Sequence, residues 1–92
     1  MLKAVENIME SQSNRKFGNH SVVWQASLHG EMIQYCKYHG NTVCTINWTK
    51  NTAVLTNAGW NTPSTNRTLN DYKRYLEMWL PEIKVMDTRD VA

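Results

Sequence analysis

The stretch Ala58-Gly59-Trp60-Asn61-Thr62-Pro63-Ser64-Thr65-Asn66-Arg67-Thr68-Leu69-Asn70 constrains the fold most, because the hydrophobic period changes across it. Before it, apolar residues alternate in short runs. After it, Leu69, Tyr72, Leu76, Trp79 and Leu80 recur at helical spacing. Inside it, Gly59 permits a sharp turn, Pro63 biases the preceding residue toward extended backbone, and Ser64, Thr65 and Thr68 offer oxygens to the free N–H groups of a helix start. Residues 58–64 therefore read as a hinge and 65–80 as a helix. Pro81 ends it.

Between His20 and Asn57 the pattern is that of strands joined by tight turns, with His29-Gly30, Gly40-Asn41 and Lys50-Asn51 as the candidate turn pairs. Two-residue loops at all three would set Ala26 against Ile33, Trp24 against Tyr35, Cys44 against Lys37, Ile46 against Leu55 and Trp48 against Ala53. One face then carries Val22, Trp24, Ala26, Leu28, Ile33, Tyr35, Cys44, Ile46, Trp48, Ala53 and Leu55. The other is polar without being charged, and presents Met32, Gln34, Tyr38, Thr45 and Asn47 side by side.

The N-terminal segment repeats Leu2, Val5 and Ile8 or Met9 at helical spacing, which predicts a short helix over 2–11, followed by a polar linker to Asn19. After Pro81, Ile83-Lys84-Val85 alternates briefly and suits an edge strand, while Asp87-Thr88-Arg89-Asp90 reads as a frayed end. The expected fold is α+β. A single domain, 1–92, would consist of helix and linker (1–19), a four-stranded antiparallel meander (20–57), the hinge (58–64), a C-terminal helix packed on one sheet face (65–80) and a tail (81–92). Trp24, Trp48, Leu69, Leu76 and Trp79 are the expected core.

With 92 residues the core must be small, and four Trp with four Tyr suit that. No apolar run approaches the ~20 residues that cross a bilayer, and the first residues lack a secretory signal's apolar core, which predicts an intracellular setting and no membrane partner. The formal charge of +2, with eight acidic residues, excludes mimicry of DNA by a densely acidic surface. The three Asn-x-Ser/Thr sequons at Asn19, Asn47 and Asn66 are expected by chance in so Asn- and Thr-rich a chain.

Catalytic chemistry has no sequence signature here. There is no Gly-rich phosphate loop, no nucleophile elbow and no carboxylate pair placed in one cleft. Cys36-Lys37-Tyr38-His39 has ligand-like spacing, but His29 falls at the far end of the same strand, so no metal site and no cofactor are expected. In the two-residue register Cys36 and Cys44 lie on opposite faces, as free thiols.

Binding surfaces are easier to find. The start of the C-terminal helix sets Thr62, Ser64, Thr65 and Arg67 beside unpaired N–H groups, which attracts anions unless the same hydroxyls cap the helix. Arg15, Lys16, Phe17, Lys73 and Arg74 would form a modest basic surface for nucleic acid.

The hinge also carries a resemblance. Gly59-Trp60-Asn61-Thr62-Pro63-Ser64-Thr65-Asn66-Arg67-Thr68-Leu69-Asn70 resembles a motif of small tailed-bacteriophage proteins of uncharacterised function, in which short strands lead into Gly-Trp-x-Thr-x-Thr-Thr and an Arg-Leu-Asn or Arg-Ile-Asn helix start. The match covers roughly residues 28 to 72. It departs from that pattern at Ser64, where the group has Thr, and at Thr68, where it usually has Arg. The resemblance implies a phage origin and a host-cytoplasmic setting. The expected function is that of a non-enzymatic phage accessory protein binding a host enzyme or anti-phage defence factor. A small nucleic-acid-binding domain, or a sponge for a signalling nucleotide, is the alternative. The sequence sets no oligomeric state.

Overall fold

In a computed structural model that describes residues 2–90, the chain runs α1 (Leu2–Glu10), β1 (Arg15–Phe17), β2 (His20–Ala26), β3 (Met32–Tyr38), β4 (Asn41–Asn47), β5 (Thr52–Leu55), α2 (Pro63–Trp79) and β6 (Lys84–Asp87), and closes with a 3-10 turn at Thr88–Asp90. The strands form one sheet in the order β1-β2-β3-β4-β5-β6, antiparallel except for the parallel pair β5–β6 that α2 connects. The α+β class holds, but the sheet has six strands rather than four. The linker supplies β1 and the tail supplies β6, so Asp87 and Thr88 are built into the fold rather than frayed. The last two tail residues, Val91 and Ala92, lie outside the described residues.

Turn chemistry sets the register. Between β2 and β3 the ladder continues to Ser27 and Glu31, where the Ser27 N–H donates to the Glu31 carbonyl at 2.8 Å, leaving Leu28-His29-Gly30 as a three-residue loop. Gly30 has a φ of 80°, the left-handed position such loops reserve for glycine. This one added residue sets Trp24 against Gln34 and Val22 against Cys36. It reverses β3 relative to the two-residue reading, so Gln34, Cys36 and Tyr38 point inward and Ile33 and Tyr35 outward.

His39-Gly40 forms the next turn, both residues at positive φ as a type I′ hairpin requires. Cys36 then pairs with Cys44 and Lys37 with Thr42, a bulge that leaves Val43 over and lets Val43 and Cys44 both reach the core. The two cysteines are thus direct neighbours on one face, buried and free, not on opposite faces. A hydrogen bond with the Cys36 thiol, and then burial, push the Cys44 thiol well above its ordinary pKa, so Cys44 stays protonated. The β4–β5 loop has four residues, Trp48 to Asn51, so Trp48 leaves the strand, while Ile46 opposite Ala53 and Cys44 opposite Leu55 keep the expected face.

Both helices cover the same side of the sheet. Val5, Ile8 and Met9 of α1 and Leu69, Tyr72 and Leu76 of α2 join Val22, Cys36, Val43, Cys44, Ile46, Ala53, Leu55 and Ile83 in one core. The α2 stripe is Thr65, Thr68, Leu69, Tyr72 and Leu76, a helical repeat. Trp79 continues the repeat yet is 63% exposed, a correction to the expected core. Met78 beside it is exposed as well, so the buried stripe of α2 ends at Leu76.

A polar device closes α1. Gln34, fully buried, donates to the Ile8 carbonyl at 3.3 Å and accepts from the Trp48 indole N–H at 3.0 Å, while the Trp24 indole donates to the Ser11 carbonyl at 3.2 Å. The two indoles stack at 6.3 Å, both half-buried. The buried amide thus satisfies a helix-end carbonyl that water no longer reaches.

Candidate functional site

Two surfaces remain once the core is accounted for. The first is the sheet face away from the helices. Val23, Tyr35, Thr45, Val54 and Met86 are successive cross-strand partners from β2 to β6 and form a single row across it. None is buried, and Met86 is 58% exposed. The adjacent row holds Gln25, Ile33, Asn47, Thr52 and Lys84. Lys16, Lys37 and Lys84 stand on this face at its margins. Glu31 at its corner is held by the Asn47 amide at 2.7 Å and then by the Lys50 ammonium at 3.2 Å, which keep its carboxyl below the usual range.

Of the five residues assigned to this face from sequence, Thr45 and Asn47 lie on it. Gln34 and Tyr38 do not, because the three-residue loop turns them inward, and Met32 points to the helix side at the exposed strand end. Asn47 is occupied: its carbonyl oxygen accepts from the Thr49 and Lys50 N–H groups and builds the β4–β5 turn. Tyr35, Ile33 and Met86 were missed. Gly at the third position of Leu28-His29-Gly30 was the signal for the loop that exposes the first two.

The second surface is the sheet rim at the start of α2, where the ends of β3 and β5 meet the hinge. A cleft of about 420 Å³ opens between the β3–β4 turn and the hinge, with Tyr38 and His39 on one side and Trp60, Thr62, Ser64 and Thr65 on the other. Asn57 and Thr56 shape the hinge: the Asn57 side chain accepts from Gly59 N–H, its backbone carbonyl from Trp60 N–H, and Thr56 Oγ1 from Ala58 N–H. Ala58 is thereby held at a φ of 53°, unfavourable for a residue with a Cβ.

Thr62, Ser64 and Thr65 line this cleft, while Arg67 is exposed outside it. Their hydroxyls are turned to the helix. Thr62 Oγ1 accepts from Thr65 N–H at 3.2 Å and donates to Thr65 Oγ1, and Thr68 Oγ1 donates to the Ser64 carbonyl. The Thr62 hydroxyl is thus spent on an N-cap rather than offered to an anion, with Pro63 at the first helical position.

The basic residues read from sequence do not gather. Arg15, Lys16 and Phe17 form the β1 edge, where the Arg15 guanidinium lies 5.2 Å from the Phe17 ring centre. Lys73 reaches Asp87 at 3.8 Å on β6, the opposite edge, about 24 Å away by strand spacing. Arg74 is exposed on α2.

Beside the rim, Asn57, Asn61, Asn66, Asn70, Lys73, Asp87 and Arg89 surround a polar depression, in which Arg89 holds Asp87 at 2.6 Å and also donates to Asn70 and to the Asn66 carbonyl. Arg89 keeps the Asp87 carboxyl below its usual range. His20 has its Nδ1 buried without a hydrogen-bond partner among the described residues, its ring 4.9 Å from that of Tyr38. Burial first, then repulsion from His39, lowers its proton affinity, with Asp71 opposing.

Both groups bind protons less readily folded than unfolded, so both lend stability that acid removes. Stability is expected to hold at and above neutral pH, to fall as pH drops below 6.5 and His20 is forced to charge, and to fall again below about 4 as Asp87 protonates. Thermal denaturation of the parent and of Asp87→Asn over pH 3–8 checks this. The variant should be less stable at neutral pH and should show a shallower second decline, the remainder belonging to carboxylates such as Glu31.

Among the described residues no group of three His, Cys, Asp or Glu side chains is placed to hold a metal, and no helix is long and apolar enough to cross a membrane. No family model matches the chain, and no curated protein or solved structure is significantly similar to it.

Proposed function

We propose that this is a non-enzymatic binding protein that docks its open sheet face on a protein with an acidic rim around an apolar centre. The carrying observation is the row Val23, Tyr35, Thr45, Val54 and Met86. A solvated antiparallel face ordinarily turns polar, and this one keeps apolar groups through its middle. Its margin is cationic, with Lys16, Lys37 and Lys84, while the carboxylate of Glu31 at its corner is paired with Lys50. That is the layout of an interface with an apolar centre and a charged rim, and it selects a partner of opposite sign.

The phage-like hinge motif supports a host protein as the partner, such as a host enzyme or an anti-phage defence factor, met in the host cytoplasm. Placement of Arg15 and Lys73 at opposite sheet edges favours this reading over nucleic-acid binding. Affinity capture from bacterial lysate tests it, using the parent, Met86→Glu, Tyr35→Ser and Trp60→Ala. One protein retained by the parent and by Trp60→Ala, released by raised salt and lost from the two sheet-face variants, is the expected result. Recovery of nucleic acid alone, or equal capture by every variant, contradicts it.

A further inference from the structure

The rim cleft is a separate feature, and nothing in the docking reading uses it. Trp60 is 57% exposed, yet it stands on a fixed hinge: Trp60 N–H donates to Asn57, Thr62 N–H donates to the Trp60 carbonyl at 2.9 Å, and Ala58 beside it is held in the left-handed region. An indole kept in water on an over-determined backbone is placed there at a cost, and such strain gathers at ligand sites. The opposite wall is also aromatic. Tyr38 is braced from behind by His20, and His39 meets it edge-on at 4.3 Å, again with a left-handed backbone.

The lining carries no Lys, Arg, Asp or Glu. Beside His39, its polar groups are amides and hydroxyls, which include donors and acceptors. The Asn57 Nδ2 group and the Asn41 Oδ1 atom have no bond within the described residues, although Asn57 Oδ1 is committed to Gly59 and Asn41 Nδ2 to the His39 carbonyl. Aromatic walls with a free amide donor and a free amide acceptor suit a flat, uncharged ring with hydrogen-bonding edges. A cleft of this size falls within the range of small-ligand sites.

We propose that this cleft binds a nucleobase, stacked on Trp60 and read at its edge by Asn41 and Asn57. The ligand class is a nucleoside or the base of a nucleotide, and the phosphate is left in solvent. Stacking on an aromatic side chain tolerates any base and supplies most of the affinity, with the amides setting preference.

The test is NMR titration of the indole N–H signal of Trp60, assigned by its absence in Trp60→Ala, with adenosine, guanosine, cytidine and uridine. Parallel titrations use the matching 5′-monophosphates, inorganic phosphate and N-acetyltyrosinamide. At least one nucleoside should give saturable shifts in the micromolar to millimolar range. Trp60→Ala should weaken it about tenfold or more, with Trp60→Phe recovering part of the loss. Melting temperatures should stay unchanged, because the indole is exposed. The monophosphate should bind within about threefold of its nucleoside, since no Lys or Arg lines the cleft. A monophosphate bound tenfold more tightly, a response to phosphate or to the tyrosine amide but to no nucleoside, or the absence of any saturable shift would each overturn the proposal. Tyr35→Ser should leave the titration unaltered, so loss of nucleoside binding and loss of protein capture are separable.

Discussion

Leu76→Ala is expected to lower the unfolding free energy by about 2–5 kcal/mol, whereas Trp79→Ala, which deletes a larger side chain one turn later, should change it by less than about 1 kcal/mol. The contrast follows from burial. Leu76 is fully enclosed between α2 and the sheet, while most of Trp79 is in water. Domains of this kind are stable by about 5–15 kcal/mol in all, so Leu76→Ala removes a large fraction and lowers the denaturation midpoint clearly. Urea titration of both variants decides the matter. Equal losses would mean that α2 is rotated on the sheet.

Gln34→Met is expected to cost about 1–3 kcal/mol although it preserves volume. The amide bridges the Ile8 carbonyl and the Trp48 indole in a place water does not reach, and methionine can do neither. Gln34→Ala adds a cavity and should cost more. The substitution also interrogates the register. With a two-residue β2–β3 loop, Gln34 would lie in solvent on the open face and Gln34→Met would be nearly neutral. A neutral result in urea titration therefore contradicts the three-residue loop, and with it the inward placement of Cys36 and Tyr38.

Much of the fold is legible in the sequence because its strongest signals are local. The α1 and α2 periods and the stop at Pro81 are each contained within a few turns of helix, although α2 starts at Pro63 with Thr62 as its cap, two residues before the start at 65 that the sequence predicts. Register is different, since it depends on loop length, and one residue reverses every side chain of a strand. Three two-residue turns give a consistent apolar face, yet Ile33 and Tyr35 are outside and Gln34 inside. The substitute core was supplied by Cys36 and Tyr38, which are apolar enough to be buried but do not announce it in an alternating pattern. Short edge strands are the other limit. The three residues of β1 carry too little pattern of their own, and of β6 only the brief alternation Ile83-Lys84-Val85 is legible, so both depend on the free edges that β2 and β5 offer.

The same reversal governs what could be read of function. Of the five residues expected to form a binding surface on the open face, two belong to the core, and the most exposed apolar member of that face, Met86, comes from a segment that reads as a tail. At the α2 start the hydroxyl residues were correctly placed together, but their direction was beyond the sequence. Capping consumes the Thr62 oxygen that an anion would need. What the hinge leaves available is Trp60.

The open face as docking surface is tested most directly by lysine acetylation footprinting of the purified complex with the captured partner. The account predicts that Lys37 and Lys84, three strands apart on that face, lose reactivity together on binding, while exposed Lys3 on α1 keeps its own. Protection of Lys3 with Lys37 and Lys84 unchanged would place the partner on the helical side and contradict it.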